Sequence, residues 1–393
     1  MKSASIWKKF GLLIILLFFS ITLYSMNPVL KNIKFIVLEG SPYNRGLIHG
    51  KTLKKEIREL INLWKENLQN KYGMNADEFI SKFIKETDFF NAIKRWTPEL
   101  LEEVRGISDG SGIDFETIFV FQLPDEVLVN GKDIAVKHCT SIGVDKNDKN
   151  PTYVAQNMDV PTFYHGYQTL LHIKYDNSDL ESFVFTFAGM IGLNGLNNRA
   201  VAITCNTLAQ LKCTKDGLPV AFIVRGVLKQ KSLEEAIKFI RSIKHASGQN
   251  YIIGGLEKAC SFECSECKVV KFVPFPNRNI TFHTNHPLVN HNYNTRYLNY
   301  LSKQLKEKKI INEKEQKEKY PRFEFLKRFF KNNPRTVDIE TIKSILSSRE
   351  SKINNKYTFG CTIMVLSENP KLLLAPGRPD TTKFIIFKFS EKE

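Results

Sequence analysis

The sequence predicts an α+β fold in which two β-sheets are held between helical layers. Three features point that way. The first third of the chain carries helical periodicity almost throughout. After Asp133 the pattern changes to short apolar runs separated by turns. A second helical stretch, from 296 to about 351, interrupts those runs before strands close the chain.

Ahead of the fold lies a hydrophobic segment. Lys2, Lys8 and Lys9 precede an apolar run from Phe10 to about Tyr24, the pattern of a signal peptide. A spanning helix takes roughly 20 apolar residues, and Trp7 with the residues around Met26 could extend the run toward that length. Residues 1–26 are therefore expected to be a signal peptide or a membrane anchor formed by residues 7–26. Either way the body is expected outside the cytoplasm, secreted, periplasmic or membrane-anchored.

Residues 33–38 (IKFIVL) read as a strand. Ser41 then suits a helix N-cap with Pro42 at the first helical position, opening a helix to about Leu68. Gly46 and Gly50 would share one face and allow a neighbour to approach closely. Helices follow over 76–93, over 98–110 with Leu100, Leu101, Val104 and Ile107 on one face, and over 113–128, opened by Asp114. Strands are expected at 139–144 and 152–157, joined by the polar loop 145–151. Further strands fall at 169–175, 183–188 and 200–206, the last after the Gly- and Asn-rich stretch 189–198. Helices are read at 219–228 and 233–243, and strands at 251–255, 268–273 and 280–283. The charged stretch 303–319 reads as a solvated helix face in preference to an arm for an acidic partner. Residues 361–366 and 371–375 form a closing pair, and 383–389 the last strand.

Of 393 residues, 42% are hydrophobic and 25% charged, with a net charge of +16. That is enough apolar material for a large core. The positive charge by itself would suit nucleic acid or an anionic surface. No RNP-like, zinc-finger or helix-turn-helix pattern accompanies it, so no nucleic-acid partner is expected. The Lys-rich helix surfaces account for the charge.

A nucleophilic cysteine needs a base or a lowered pKa, an oxyanion site and an orienting group. Of the seven cysteines, Cys205 and Cys361 sit in apolar runs that suit a core, and Cys213 lies in a polar loop. Cys139 heads a strand in C-T-S, with two hydroxyls beside it, and is the preferred candidate. Cys260, Cys264 and Cys267 form C-x3-C-x2-C, which could begin a zinc site if His245 or His283 completed it. Glu263 and Glu266 interleave with these thiols as in a strand, so packing or a disulfide is preferred, and no metal or cofactor is expected.

Several short motifs then fall in one order: G-S-P-Y-N-R-G-L-I-H-G at 40–50, C-T-S at 139–141, Q-N-M-D at 156–159, G-L-N at 195–197, N-T-L at 206–208, T-N-H-P at 284–287, Arg296, and G-R-P at 377–379. Together they resemble the penicillin acyltransferase (isopenicillin N acyltransferase) family of N-terminal nucleophile hydrolases, more distantly the choloylglycine hydrolases and acid ceramidase-like amidases. The resemblance spans roughly residues 36–390. It implies a four-layer αββα sandwich and a precursor that cuts its own chain between His138 and Cys139. Residues 27–138 would become the small chain and 139–393 the catalytic chain, with a charged helical excursion at about 296–351.

The resemblance also implies roles. Cys139 would be the nucleophile and its freed α-amine the base, with an ordinary pKa of about 7.7–8.0. Asp159 would hold that amine. Asn285 would donate to the oxyanion, Asn206 would be a second amide at the site, and Arg296 would support the pocket and processing. From local sequence alone, Asp159 would pass for a turn residue, Asn285 for a residue before Pro287, Asn206 for a strand end and Arg296 for a helix-surface charge. Gln156 and Asn157 would shape the pocket without a chemical step. The sequence departs from the pattern at His138, where the penicillin acyltransferases have Gly, and at Ala200, where Gly is usual and a shifted backbone is expected. The expected activity is cleavage or transfer of an acyl group at an amide or thioester bond of a small molecule. Hydrolysis is favoured because acyl-CoA is an intracellular donor. The rival is an uncleaved, inactive, membrane-tethered binding or structural protein of the same fold.

Overall fold

A computed structural model describes residues 33–130, 139–306, 320–333 and 337–389. The hydrophobic segment 1–26, His138 and most of the 303–319 stretch lie outside the described residues.

The chain begins with β1 (Lys34–Leu38) and seven helices: α1 (Pro42–Thr52), α2 (Lys54–Tyr72), α3 (Ala76–Lys85), α4 (Phe89–Trp96), α5 (Pro98–Ser111), α6 (Phe115–Phe121) and α7 (Pro124–Asn130). Ser41 caps α1 through its hydroxyl, which accepts from the Asn44 N–H. Asp114 caps α6 in the same way, accepting from the Thr117 N–H. The expected helix over 113–128 is broken because Pro124 cannot donate a backbone hydrogen bond. It instead opens a new helix, where that donor is not needed.

Strands β2 (Thr140–Val144), β3 (Thr152–Asp159), β4 (Gln168–Lys174), β5 (Glu181–Phe187), β6 (Asn194–Asn197) and β7 (Ala202–Thr207) follow. Next come α8 (Val220–Leu228), α9 (Leu233–Ser242), β8 (Gln249–Gly254), β9 (Ala259–Cys264), β10 (Val269–Phe272) and β11 (Ile280–His283). The chain ends with α10 (Thr295–Lys306), α11 (Pro321–Asn332), α12 (Ile339–Ser347), β12 (Thr358–Leu366), β13 (Lys371–Ala375) and β14 (Ile385–Lys388).

The strands make two sheets. One has eight strands in the order β1-β4-β5-β6-β7-β8-β9-β10, the other six in the order β11-β2-β3-β12-β13-β14. Apart from the parallel β1–β4 pair, neighbours run antiparallel. The two sheets pack face to face. A Cβ on Gly143 of β2 would lie 2.8 Å from Ala259 and 2.9 Å from Ile252 of the other sheet, so only a glycine lets them close there. Helices α11 and α12 cover the outer face of the six-stranded sheet, where Phe323, Leu326, Phe330 and Ile342 pack on Ile142, Ala155 and Ile363. The N-terminal helices and α8 join the core of the eight-stranded sheet. The layers are therefore helix, sheet, sheet, helix.

Gly46 and Gly50 do what their spacing predicts. A Cβ on Gly46 would stand 1.9 Å from the Glu103 carbonyl oxygen, and Gly106 of α5 is as tightly placed against α1. Close contact of the two backbones leaves no room for water, and it brings Arg45 of α1 to Glu103 of α5 (3.3 Å). Arg225 of α8 closes on the same carboxylate at 2.5 and 2.9 Å. At Ala200 the backbone takes the left-handed conformation that usually falls to glycine. Its φ is +56°, held by Asn197 Oδ1, which accepts from the N–H groups of Arg199 and Val201. In that left-handed conformation the alanine bears a strain of roughly 1 kcal/mol.

Candidate active site

Cys139 directly precedes β2, and strand alternation decides what it faces. Side chains two residues apart share a face. Cys139 and Gly143 therefore look toward the eight-stranded sheet, while Thr140 and Ile142 look toward α11. The Cys139 thiol is buried, 3.4 Å from the Met158 sulfur and 3.8 Å from the Asp159 carbonyl oxygen. The same alternation splits Q-N-M-D on β3. Gln156 reaches between the sheets to the Cys205 carbonyl and accepts from Asn194 Nδ2 at 2.8 Å. Asn157 turns the other way and donates to the carbonyls of Leu346, at the end of α12, and of Ile353 beyond it. Both are structural braces in this geometry.

Asp159 ends β3. Its carboxylate accepts from the Thr358 hydroxyl at 2.8 Å and from Asn355 Nδ2 at 2.5 Å. Burial pushes its pKa up to about 7, against the pull of the Arg322 charge and these two donors. Burial, helped by the Asp159 charge, also pushes the Cys139 thiol up to about 12. The thiol is therefore protonated at neutral pH.

The guanidinium on the site is that of Arg322, on α11. Its Nη1 donates to the Cys139 carbonyl oxygen at 2.6 Å and to the Thr140 hydroxyl at 2.9 Å, and its Nη2 donates to Asn285 Oδ1 at 3.0 Å. Burial draws Arg322 below its ordinary pKa while the charges of Asp159 and Cys139 oppose that. Arg296, the arginine singled out in sequence, starts α10, where its charge lowers the Cys213 thiol pKa against burial. Asn285 follows β11. Its Nδ2 donates to the Thr207 carbonyl at 3.1 Å, tying the end of β7 to α11 through Arg322. Asn206 lies on β7 with its Oδ1 accepting from Asn250 Nδ2 at 3.3 Å. Its own Nδ2 is buried without a partner in the described structure.

The loop carrying Asn285 is held by Glu263, a buried carboxylate on β9. It accepts from the backbone N–H groups of Leu288, Val289 and Asn290, at 2.6, 3.0 and 2.7 Å, and meets His283 Nε2 at 2.9 Å. Burial alone would raise its pKa. His283 and the backbone donors overcome that and hold it below the ordinary value. Cys260 and Cys264 on the same strand are buried, and Cys267 is exposed. All seven cysteines are free thiols. Among the described residues no group of three His, Cys, Asp or Glu side chains is placed to hold a metal ion.

A cavity of about 160 Å³ opens beside Cys139 and Asp159. Trp64 and Tyr72 of α2, Phe163, Tyr164 and Phe187 give it aromatic walls. Asp125 of α7 supplies a carboxylate.

The αββα layers, with a cysteine heading an interior strand of the six-stranded sheet, define the class: an N-terminal nucleophile fold. Residues 146–363 match the family described as acyl-coenzyme A:6-aminopenicillanic acid acyl-transferase, and the chain belongs to that family. The match begins after Cys139 and takes in Asp159, Asn206, Asn285, Arg296 and Arg322. Among relatives, the 40 kDa form of acyl-coenzyme A:6-aminopenicillanic-acid-acyltransferase of Emericella nidulans is 27% identical over 269 residues, covering 67% of this chain and 72% of that protein. The β-alanyl-dopamine/carcinine hydrolase of Drosophila melanogaster is 23% identical over 297 residues, covering 68% and 72%. Of solved structures, a Caenorhabditis elegans N-acylethanolamine-hydrolyzing acid amidase ortholog aligns with a TM-score of 0.40 at 17% identity, over 64% of this chain and 100% of that one. A variant of conjugated bile acid hydrolase from Clostridium perfringens aligns with a TM-score of 0.39 at 14% identity, over 64% and 97%. Family membership makes the protein an enzyme of acyl transfer or hydrolysis at C–N bonds, acting on small acyl compounds. Among the described residues no helix is long and apolar enough to cross a membrane.

Proposed function

We propose that the protein is a self-processing cysteine enzyme that hydrolyses small acyl amides, or acyl thioesters, through an acyl group carried on Cys139. The observation behind this is the Arg322 fork. One side chain fixes the Cys139 carbonyl, the Thr140 hydroxyl and the Asn285 amide oxygen. It thereby locks the head of β2 against the loop that carries an oxyanion donor.

In the precursor the Cys139 sulfur attacks the His138 carbonyl carbon, and its proton passes to the Asp159 carboxylate. The C–N bond then breaks, the proton moves to the departing α-amine, and His138 is left as a thioester. Water hydrolyses that ester and frees the thiol. The new amine, with an ordinary pKa of about 7.7–8.0, takes the thiol's proton in each later turnover, and Asp159 holds it in place. Asn206 Nδ2 and Asn285 Nδ2 stabilise the oxyanion of the tetrahedral intermediate. Arg322 supports the head of β2 and the Asn285 loop during both steps. With residues 1–26 directing the body out of the cytoplasm, water is the acyl acceptor.

Denaturing electrophoresis with N-terminal sequencing tests this. The purified chain should give two pieces, the larger beginning at Cys139, and should turn over N-acyl amides until its thiol is alkylated. Cys139→Ala should stay in one piece and be inactive. A wild-type chain that remains intact on incubation sinks the self-processing scheme.

A further inference from the structure

We propose that Asp125 makes the cavity beside Cys139 selective for a small cationic amine, so that the preferred substrates carry a protonated amino group on the part bound there. The proposal names a substrate class for the reaction proposed above, and rests on it only for the identity of the nucleophile.

Asp125 lines the cavity together with Cys139 and Asp159, and its charge is felt at the Cys139 and Cys205 thiols and at Tyr164. Its carboxylate is held by neutral donors, the Thr207 hydroxyl and the Gln249 side chain. Among the described residues it has no ion-pair partner. Its neighbour Glu126 is spoken for: it accepts from the Ser247 hydroxyl at 2.9 Å and the Val220 N–H at 3.2 Å. Burial, then the Asp125 charge, pushes Glu126 up to about 8, so it is largely protonated at neutral pH. Burial raises Asp125 as well, against the Thr207 and Gln249 donors, and of the two α7 acids it is Asp125 that lines the cavity. Asp125 is half-buried on the cavity wall without a counter-charge, and an entering ammonium group would supply one.

The walls suit the same ligand. Trp64, Tyr72, Phe163, Tyr164 and Phe187 present ring surfaces, which attract cations as well as apolar groups. Lys71, the cationic side chain on the cavity lining, is exposed and lies over the Tyr72 ring at 5.6 Å. Size limits the choice. A cavity of about 150 Å³ holds a benzene molecule, so about 160 Å³ takes a group of roughly six heavy atoms. A long acyl chain or a fused-ring acyl group exceeds it.

The test compares two probes with the same heavy-atom count, pentylammonium and pentan-1-ol. Binding to the full chain is followed by NMR titration, in wild type, Cys139→Ala and Asp125→Asn. Pentylammonium should bind at least about 10-fold more tightly than the alcohol in the first two proteins, and Asp125→Asn should level the two affinities. In turnover, ω-aminoacyl 4-nitroanilides should show a kcat/KM at least about 10-fold above alkanoyl 4-nitroanilides of equal heavy-atom count. Equal binding of the two probes, or binding of neither, to the wild-type chain overturns the proposal, and that arm stands even where Asp125→Asn does not fold. The readouts separate the two claims. A chain that prefers pentylammonium yet never cleaves or turns over amides keeps this assignment and loses the self-processing one.

Discussion

Arg225 and Arg322 sit in opposite helical layers of the sandwich. Arg225, on α8, is fully buried and meets Glu103 with two hydrogen bonds, while Arg45 takes the same carboxylate from a second side. Burial disfavours its charge, but Glu103 more than compensates, and its pKa rises above the ordinary value. Arg322, on α11, directs hydrogen bonds to a carbonyl, a hydroxyl and an amide oxygen, and its pKa falls below the ordinary value. In the first arrangement both terminal nitrogens of Arg225 meet the Glu103 carboxylate, which pins α5 and α8 together where α1 also packs. The second leaves a positive field over Cys139 and Asp159, where charge would appear and disappear during a reaction. An arginine spent on a scaffold carboxylate and one aimed at the thiol and its neighbouring acid separate scaffold from candidate chemistry.

Mutation can break the comparison. Arg225→Met should destabilise the fold by about 3–5 kcal/mol, because it leaves Glu103 buried with only the longer Arg45 contact. Arg322→Met should cost about 1–2 kcal/mol yet slow precursor cleavage far more than Arg225→Met does. Denaturant unfolding and cleavage time courses on both variants decide it; equal ratios of stability loss to rate loss would erase the distinction.

A narrower change sharpens the site side. Asn285→Ala removes a proposed oxyanion donor and should lower kcat by about 10²–10³, the loss typical of such a donor. A fall in binding with kcat intact would make Asn285 a pocket residue only.

The smallest effect is in pH. Burial holds Asp159 at about 7, above the ordinary carboxylate value of about 3.9. As a proton acceptor it must be ionised, so precursor cleavage should rise by about tenfold per pH unit below 7 and level off above it. Asp159→Asn should flatten the profile. A wild-type rate unchanged between pH 5 and 8 would remove Asp159 from the proton path.

Much of the fold was legible because local rules decide it. The N-caps Ser41 and Asp114, the period of α5 and the glycine pair of α1 are set by residues within a turn or two of one another. Where the local pattern was continuous but the chain was not, the expectations ran elements together. Residues 41–68 form two helices with a break at Leu53, and Pro124 divides 113–128. Strand β9 was visible only as an alternation within the thiol-rich stretch, and its register against β8 makes it a full member of the sheet.

The candidate site divides along the same line. Cys139, Asp159, Asn206 and Asn285 were picked out by ordered motifs, and the structure places Cys139 and Asp159 on one cavity, with Asn285 joined to Cys139 through Arg322. Arg322, Glu263 and Asp125 were not. Arg322 carries only the signature of a residue after a helix-opening proline. Glu263 was legible only as one of two acids interleaved with thiols along a strand. Asp125 belongs to a short helix that no motif marks. What places them is contact between segments far apart in sequence: α11 folding back over β2, the loop after β11 closing on β9, and α7 meeting the end of β7. By itself the sequence determined the layers and the nucleophile candidate, because hydrophobic period and capping act over a few residues. Which charges surround that thiol was decided by the tertiary structure, because an electrostatic neighbour is chosen by distance in space and leaves no period in the chain.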